Sequence, residues 1–263
     1  MMRVLSRFLV PTLLCFLTAC ASHKHPQDPL EPMNRSIYGF NRTIDKAIIR
    51  PVAYGYRKFM PNPIQIGVSN FYSNIYELPT IANDVLQMKF SFAANDGGRF
   101  LINSTVGLLG ILDPATRMGL NHREEDFGQT MKKWGVKKSS YLVLPILGPS
   151  TVRDSFGMAV DTFAFSIWPH INSTSLRNSL FAVHLLDTRA RLLKSEKVLD
   201  VVALDEYAVI RDAYYQHREY LASDEAVATD ESDVSQEWDG LDNLEEPKDA
   251  PLEEATVSKS PKA

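Results

Sequence analysis

Phe100-Leu-Ile-Asn-Ser-Thr-Val-Gly-Leu-Leu-Gly-Ile-Leu112 is the stretch on which the fold turns. As a helix it is about 20 Å long, too short for the ~30 Å of hydrocarbon in a bilayer, yet it is apolar on nearly all sides. Such a segment is either buried in a core or lies within one membrane leaflet.

Upstream, Asn95-Asp96-Gly97-Gly98 predicts a break or bend just before it. Further back the spacing is helical. Ile37, Phe40, Ile44 and Ile48 recur every three or four residues from Asn34 onward, an apolar stripe that should end where Pro51 forbids continuation. Pro51, Pro63 and Pro79 each sit where a helix can begin, which predicts short helices over about 52–60, 63–76 and 79–88. Downstream, Tyr141-Leu-Val-Leu-Pro-Ile-Leu147 reads as extended, and Gly148-Pro149-Ser150 opens a helix over about 151–168 that carries Phe156, Phe163, Phe165 and Trp168. Helices over Leu176–Leu193 and Leu204–Leu221 complete the body. No period-two run is long enough to propose a sheet, so the expected class is all-α.

The ends of the chain differ from this body. Arg3 and Arg7, a mostly apolar run from Phe8 to Phe16, and Leu17-Thr18-Ala19-Cys20 read as a secretory signal over residues 1–19. Its cleavage leaves Cys20 as the first mature residue, ready for acylation, as in a bacterial lipoprotein. Ala21 stands where an aspartate would argue for retention at the inner membrane, so the expected address is the periplasmic leaflet of a Gram-negative outer membrane. Residues 20–33, with Pro26, Pro29 and Pro32, read as a tether. Cys15 is the other cysteine and falls in the signal, so the mature chain is expected to have no disulfide. Residues 222–263 hold 13 acidic residues against three lysines, with one aromatic, and are expected to be disordered. Residues 34–221 are expected to form one domain.

Catalysis finds little support. Gly67-Val-Ser69-Asn-Phe71 lacks the second glycine of a nucleophile elbow and falls in an expected helix with no strand before it. His122, Glu124, Glu125 and Asp126 resemble a metal cluster in composition but lack paired ligand spacing, and a solvated charged loop is the expectation there. No metal, cofactor or nucleic acid is expected, and no phosphate-binding glycine loop occurs.

Asp28-Pro-Leu-Glu-Pro-Met-Asn-Arg-Ser-Ile-Tyr-Gly-Phe-Asn41 resembles the start of the MlaA family of outer-membrane lipoproteins, also called VacJ. Arg50-Pro-Val-Ala53, Gly67-Val-Ser-Asn-Phe71, Arg99 to Gly107, Phe127-Gly-Gln-Thr130, Leu144 to Ser150 and Thr188-Arg-Ala190 follow in family order. The resemblance implies a ring-like bundle of short amphipathic helices in one leaflet, with an amphipathic channel. It implies removal of mislocalised phospholipids from the outer leaflet and their delivery to a soluble periplasmic carrier, in association with a trimeric porin. Two other readings stay open: a structural lipoprotein that scaffolds a porin, and a membrane-bound lipid hydrolase.

Within the resemblance, Phe40 and Asn41 are candidates for gating the channel or for ordinary helix packing. Gly107 and Gly110 belong either to a mobile segment beside the channel or to a close helix contact. The family's glycines near Trp134–Tyr141 are reduced here to Gly135, and Lys137 and Lys138 are candidate contacts for headgroup phosphates or residues of a solvated loop.

Overall fold

The computed structural model describes residues 27–202 and 204–223. The signal segment, Cys20, most of the tether and nearly all of the acidic tail lie outside the described residues. The chain is overwhelmingly helical, in the order α1 (Glu31–Ile44), α2 (Arg50–Phe59), α3 (Asn62–Leu86), α4 (Phe90–Thr105), α5 (Pro114–Arg117), α6 (Phe127–Lys133), β1 (Tyr141–Leu144), β2 (Gly148–Thr151), α7 (Val152–Val160), α8 (Thr174–Val202) and α9 (Glu206–Ala222). No described helix is long and apolar enough to cross a membrane.

Several expectations are corrected. Pro51 does not stop the first helix. A π-helical turn over Asp45–Ile49 precedes it, with the Arg50 N–H reaching back to the Asp45 carbonyl, and α2 begins with Pro51 in its first turn. The wider turn shifts the hydrogen-bond register, so the proline needs no partner where it has no N–H. Pro79 lies inside α3 rather than opening a helix. Around it the Thr80 hydroxyl donates to the Tyr76 carbonyl at 3.1 Å and the Asn83 amide to the Pro79 carbonyl at 2.9 Å. The helix continues through Pro79 for two more turns, to Leu86, against a local penalty of about 3 kcal/mol.

Asn95-Asp96-Gly97-Gly98 lies within α4. The Asn95 amide bonds to the Asn121 carbonyl at 2.8 Å and to Asp96 at 2.7 Å, so its polar capacity is used in tertiary contacts instead of competing for its own backbone. The helix then stops at Thr105, short of the expected Leu112. The helix expected over 151–168 also ends early, at Val160, where a second π turn covers Asp161–Phe165.

There is also a small sheet. β1 and β2 pair antiparallel, Tyr141 opposite Thr151 and Leu144 opposite Gly148. Tyr141 and Val143 point inward and Leu142 and Leu144 are half-exposed, so the expected extended stretch holds over 141–144, but a period-two pattern of four residues is too short to announce a sheet. Two small apolar clusters hold the ends of the helices. Ala53, Ala190 and Leu193 meet under Tyr56, and Tyr141, Val143 and Tyr207 meet Ile37, Tyr38, Tyr214 and Tyr215. Residues 27–33 belong to this body rather than to a tether. Asp28 is fully buried and accepts from the Asn34 amide at 2.8 Å and from the Tyr207 hydroxyl, and the Gln27 carbonyl accepts from Tyr141 N–H at 3.0 Å.

Candidate functional site

The distribution of polarity is the reverse of a soluble protein's. Among the described residues nine apolar side chains are buried against 22 polar or charged ones, so the interior is chiefly ionic and amide. Outside, Phe59 and Met88 are 80% exposed, Phe163 75% and Leu109 69%, among many other large apolar residues. Water gives no reason to hold such residues outward, whereas a hydrocarbon surround does.

The interior is built from linked pairs. Arg99 on α4 donates to Glu77 on α3 at 2.9 Å, to Thr116 at 2.8 Å and to Asp113 at 3.1 Å, and also reaches the Leu120 carbonyl. His122 meets the same Glu77 oxygen at 3.1 Å. Burial alone would lower the His122 pKa, but Glu77 outweighs it and holds the value above the ordinary histidine range. Asp113 caps α5 through Thr116 N–H at 3.0 Å, and Asn103 donates to it at 2.9 Å. The expected solvated loop at 122–126 is therefore corrected: Arg123 and Glu125 are buried, and Glu125 accepts from Lys89 at 2.7 Å, Gln87 at 2.8 Å and Arg123 at 3.1 Å. No group of three or more His, Cys, Asp or Glu among the described residues is arranged to hold a metal ion.

Asp84 and Asp96 face each other between α3 and α4, both fully buried. Neither Asp84 oxygen nor Asp96 Oδ2 has a donor from a neighbouring side chain or backbone, while Arg123 lies 3.5 Å from Asp84. Burial together with Asp96 pushes Asp84 up to about 8, and burial raises Asp96 as well, so near neutrality the pair retains a proton that can bridge the two carboxyls. Asp161 is raised to about 6 by burial, against the opposing bonds from Phe127 N–H at 2.9 Å and Asn83 at 2.7 Å.

A second polar cluster joins α6, α7 and α9. Arg218 donates to Asp126 and, at 3.0 Å, to Asp154, which also accepts from Tyr214 at 2.8 Å and Arg153 at 2.9 Å. Burial would raise the Asp154 carboxyl, but Arg218, Arg153 and Tyr214 hold it below the usual range. The approach depends on glycine: a Cβ on Gly128 would lie 2.4 Å from Asp154, and one on Gly157 would lie 2.4 Å from the Gly128 nitrogen. Of this pair Gly128 stands in a quoted family stretch, but its reason is visible only where the two helices cross.

The sequence candidates fall in different places. Asn41 grips the hairpin, donating to the Leu144 carbonyl at 2.8 Å and accepting from Ile146 N–H at 2.8 Å. Two turns earlier Asn34 does the same to Tyr141 and Val143, at 3.1 and 3.0 Å. Phe40 is exposed on the same helix. Gly107 and Gly110 belong to the turn after α4, in which Leu108, Leu109 and Gly110 all have positive φ. A Cβ on Gly107 would lie 2.4 Å from the Leu112 carbonyl, and one on Gly110 2.4 Å from Asn74 Cβ, so both glycines are demanded by packing. Gly135 has φ of +113° with open space around it, and Lys137 and Lys138 follow it on the surface beside exposed Trp134 and Val136. The structure thus keeps the lysines apart from the buried networks.

Comparison with known proteins agrees with this arrangement. The family model described as MlaA lipoprotein matches residues 26–221. An uncharacterized protein of Rickettsia typhi is 32% identical over 192 residues, covering 73% of this chain and 76% of its own. The intermembrane phospholipid transport system lipoprotein MlaA of Escherichia coli K12 is 32% identical over 222 residues, covering 79% and 84%. A solved chain reported under "Structural basis for maintenance of bacterial outer membrane lipid asymmetry" superposes with a TM-score of 0.67 at 32% identity, covering 74% of this chain and 98% of that one. With the match starting at the buried Asp28 region and ending with α9, nearly the span that the structure describes, this chain belongs to the MlaA lipoprotein family.

Proposed function

We propose that this chain is an outer-membrane lipoprotein that maintains lipid asymmetry by taking mislocalised phospholipids from the outer leaflet and passing them to a soluble periplasmic carrier. The observation that carries the reading is the reversal of polarity, with ionic and amide groups inside and large apolar groups outside. A ring-like body of this kind lies in the periplasmic leaflet, held by acyl chains on Cys20 and seated against a porin trimer. Moving a charged headgroup through hydrocarbon is costly unless polar groups replace its water, and a route lined from the interior supplies them while the tails stay in lipid.

No bond is made or broken in such a step. Its direction comes from the receiving carrier. Lys137 and Lys138, with Trp134 beside them, suit the level of the headgroups, where lysine reaches phosphate and indole sits at the boundary. Membership of the family and the lipid-transport name of the E. coli relative support the reading. Deleting the gene raises outer-leaflet phospholipid, measured by surface labelling of intact cells, and unchanged asymmetry in the deletion strain would refute the proposal.

A further inference from the structure

α3 and α8 meet through aromatic rings. His184 lies 4.6 Å from Tyr72 and 5.2 Å from Tyr76, ring centre to ring centre, and Trp168 lies nearly parallel to Tyr72 at 6.4 Å. His184, Asp187 and Thr188 occupy one face of α8, since residues three and four apart are neighbours on a helix. On that face His184 Nδ1, Asp187 Oδ2 and Thr188 Oγ1 are buried with no hydrogen-bond partner. Tyr56 donates to the other Asp187 oxygen at 3.2 Å, and the largely exposed Arg191 comes within 3.2 Å of Oδ2 without hydrogen-bond geometry. Buried polar atoms are rarely left in this state, and three of them on one face call for a donor.

We infer that this face of α8, with Tyr72, Tyr76 and Trp168 around it, is a subsite for the ammonium group of a zwitterionic phospholipid, phosphatidylethanolamine. Each unpartnered atom can accept a hydrogen bond, and an ammonium offers three N–H donors in one compact group. The ring faces attract the same positive charge. Burial, aided by Arg191, lowers the His184 pKa and keeps the ring neutral, and in the tautomer protonated at Nε2 the unpartnered Nδ1 accepts. Tyr76 is 37% exposed and packs on the His184 ring, one helical turn from the buried Asp187, so the aromatic side of the face reaches the surface. An anionic head such as phosphatidylglycerol has no cation for the rings and meets the Asp187 carboxylate instead.

This inference rests on the lipid-transfer reading. The test uses the full-length lipoprotein in mixed micelles of phosphatidylethanolamine and phosphatidylglycerol in equal amounts, with bound lipid extracted and quantified. The wild type enriches phosphatidylethanolamine by about fivefold, the scale of a cation held over an aromatic face. Asp187→Asn brings the ratio back to that of the mixture, and Tyr76→Leu, which leaves the buried Asp187 and Tyr56 pair in place, does the same. Lipid bound without headgroup preference in the wild type, or preference kept in both variants, overturns the subsite and leaves transfer standing. A wild type that binds no lipid overturns transfer and the subsite together.

Discussion

Asn34 and Asn41 show how much one side-chain amide fixes. Seven residues apart on α1, they lie on the same face, and each offers a carbonyl and an NH2 to a strand that passes at the right height. Asn34 is buried and its partners with it, so Asn34→Ala leaves a carbonyl and an N–H unpaired away from water and destabilises the protein by about 1–3 kcal/mol. Asn41→Ala exposes its partners to solvent and costs less, about 1 kcal/mol. Urea unfolding in a fixed detergent measures both, and equal losses would contradict the burial argument. In the sequence both asparagines were visible only as members of a family motif. Asn41 has a structural role that no spacing rule reveals, because its partners are over 100 residues away in the chain.

At the scale of elements, the turn after α4 is the most constrained feature. Leu108 and Leu109 sit in the left-handed region, which side chains rarely adopt, and both are exposed. The turn is held from below by Gly110 N–H on the Asn103 carbonyl at 2.8 Å and by Asn103 on Asp113 at 2.9 Å. Gly110→Ala meets both an unfavourable φ and the Asn74 side chain, while Gly135→Ala meets only the unfavourable φ. The first is expected to lose about 2–4 kcal/mol and the second about 1 kcal/mol, read as the shift in thermal midpoint. Composition marked 100–112 as an apolar segment too short to span. It gave no sign of the corner at Thr105, since the left-handed leucines follow from the fit of Gly107 and Gly110 against Asn103 and Asn74.

For the whole molecule, the buried carboxyls set the pH response. Asp84, Asp96 and Asp161 have folded values above the 3.8 of an ordinary aspartate, with Asp84 near 8 and Asp161 near 6, chiefly through burial. The folded state therefore holds protons that the unfolded chain releases. Their contribution is complete below about pH 4 and is lost as pH rises towards 8. Asp113 and Asp154 act in the opposite sense: burial would raise them, but the Thr116 bonds, Arg99 and Asn103 hold Asp113 low, and Arg218, Arg153 and Tyr214 hold Asp154 low. Their contribution disappears as pH falls below the ordinary aspartate range. Stability in detergent should thus be greatest on the acidic side of neutrality. Asp84→Asn, which keeps the shape and ends the shared-proton titration, should flatten the decline between about pH 4 and 8. An unchanged slope would show that the pair does not share a proton.

By itself the sequence determined the helical class and the positions of most helices. Each of these depends on neighbours within a few residues, and 3.6-residue spacing records them directly. Only the tertiary structure decided what lies inside. Glu77, Asp84, Asp96, Arg99 and Glu125 carry no local sign of burial, and the expectation for 122–126 is a solvated loop. They are buried because partners from distant segments neutralise or share their charge, and the distance along the chain between Glu77, Arg99 and His122 leaves no local pattern to read.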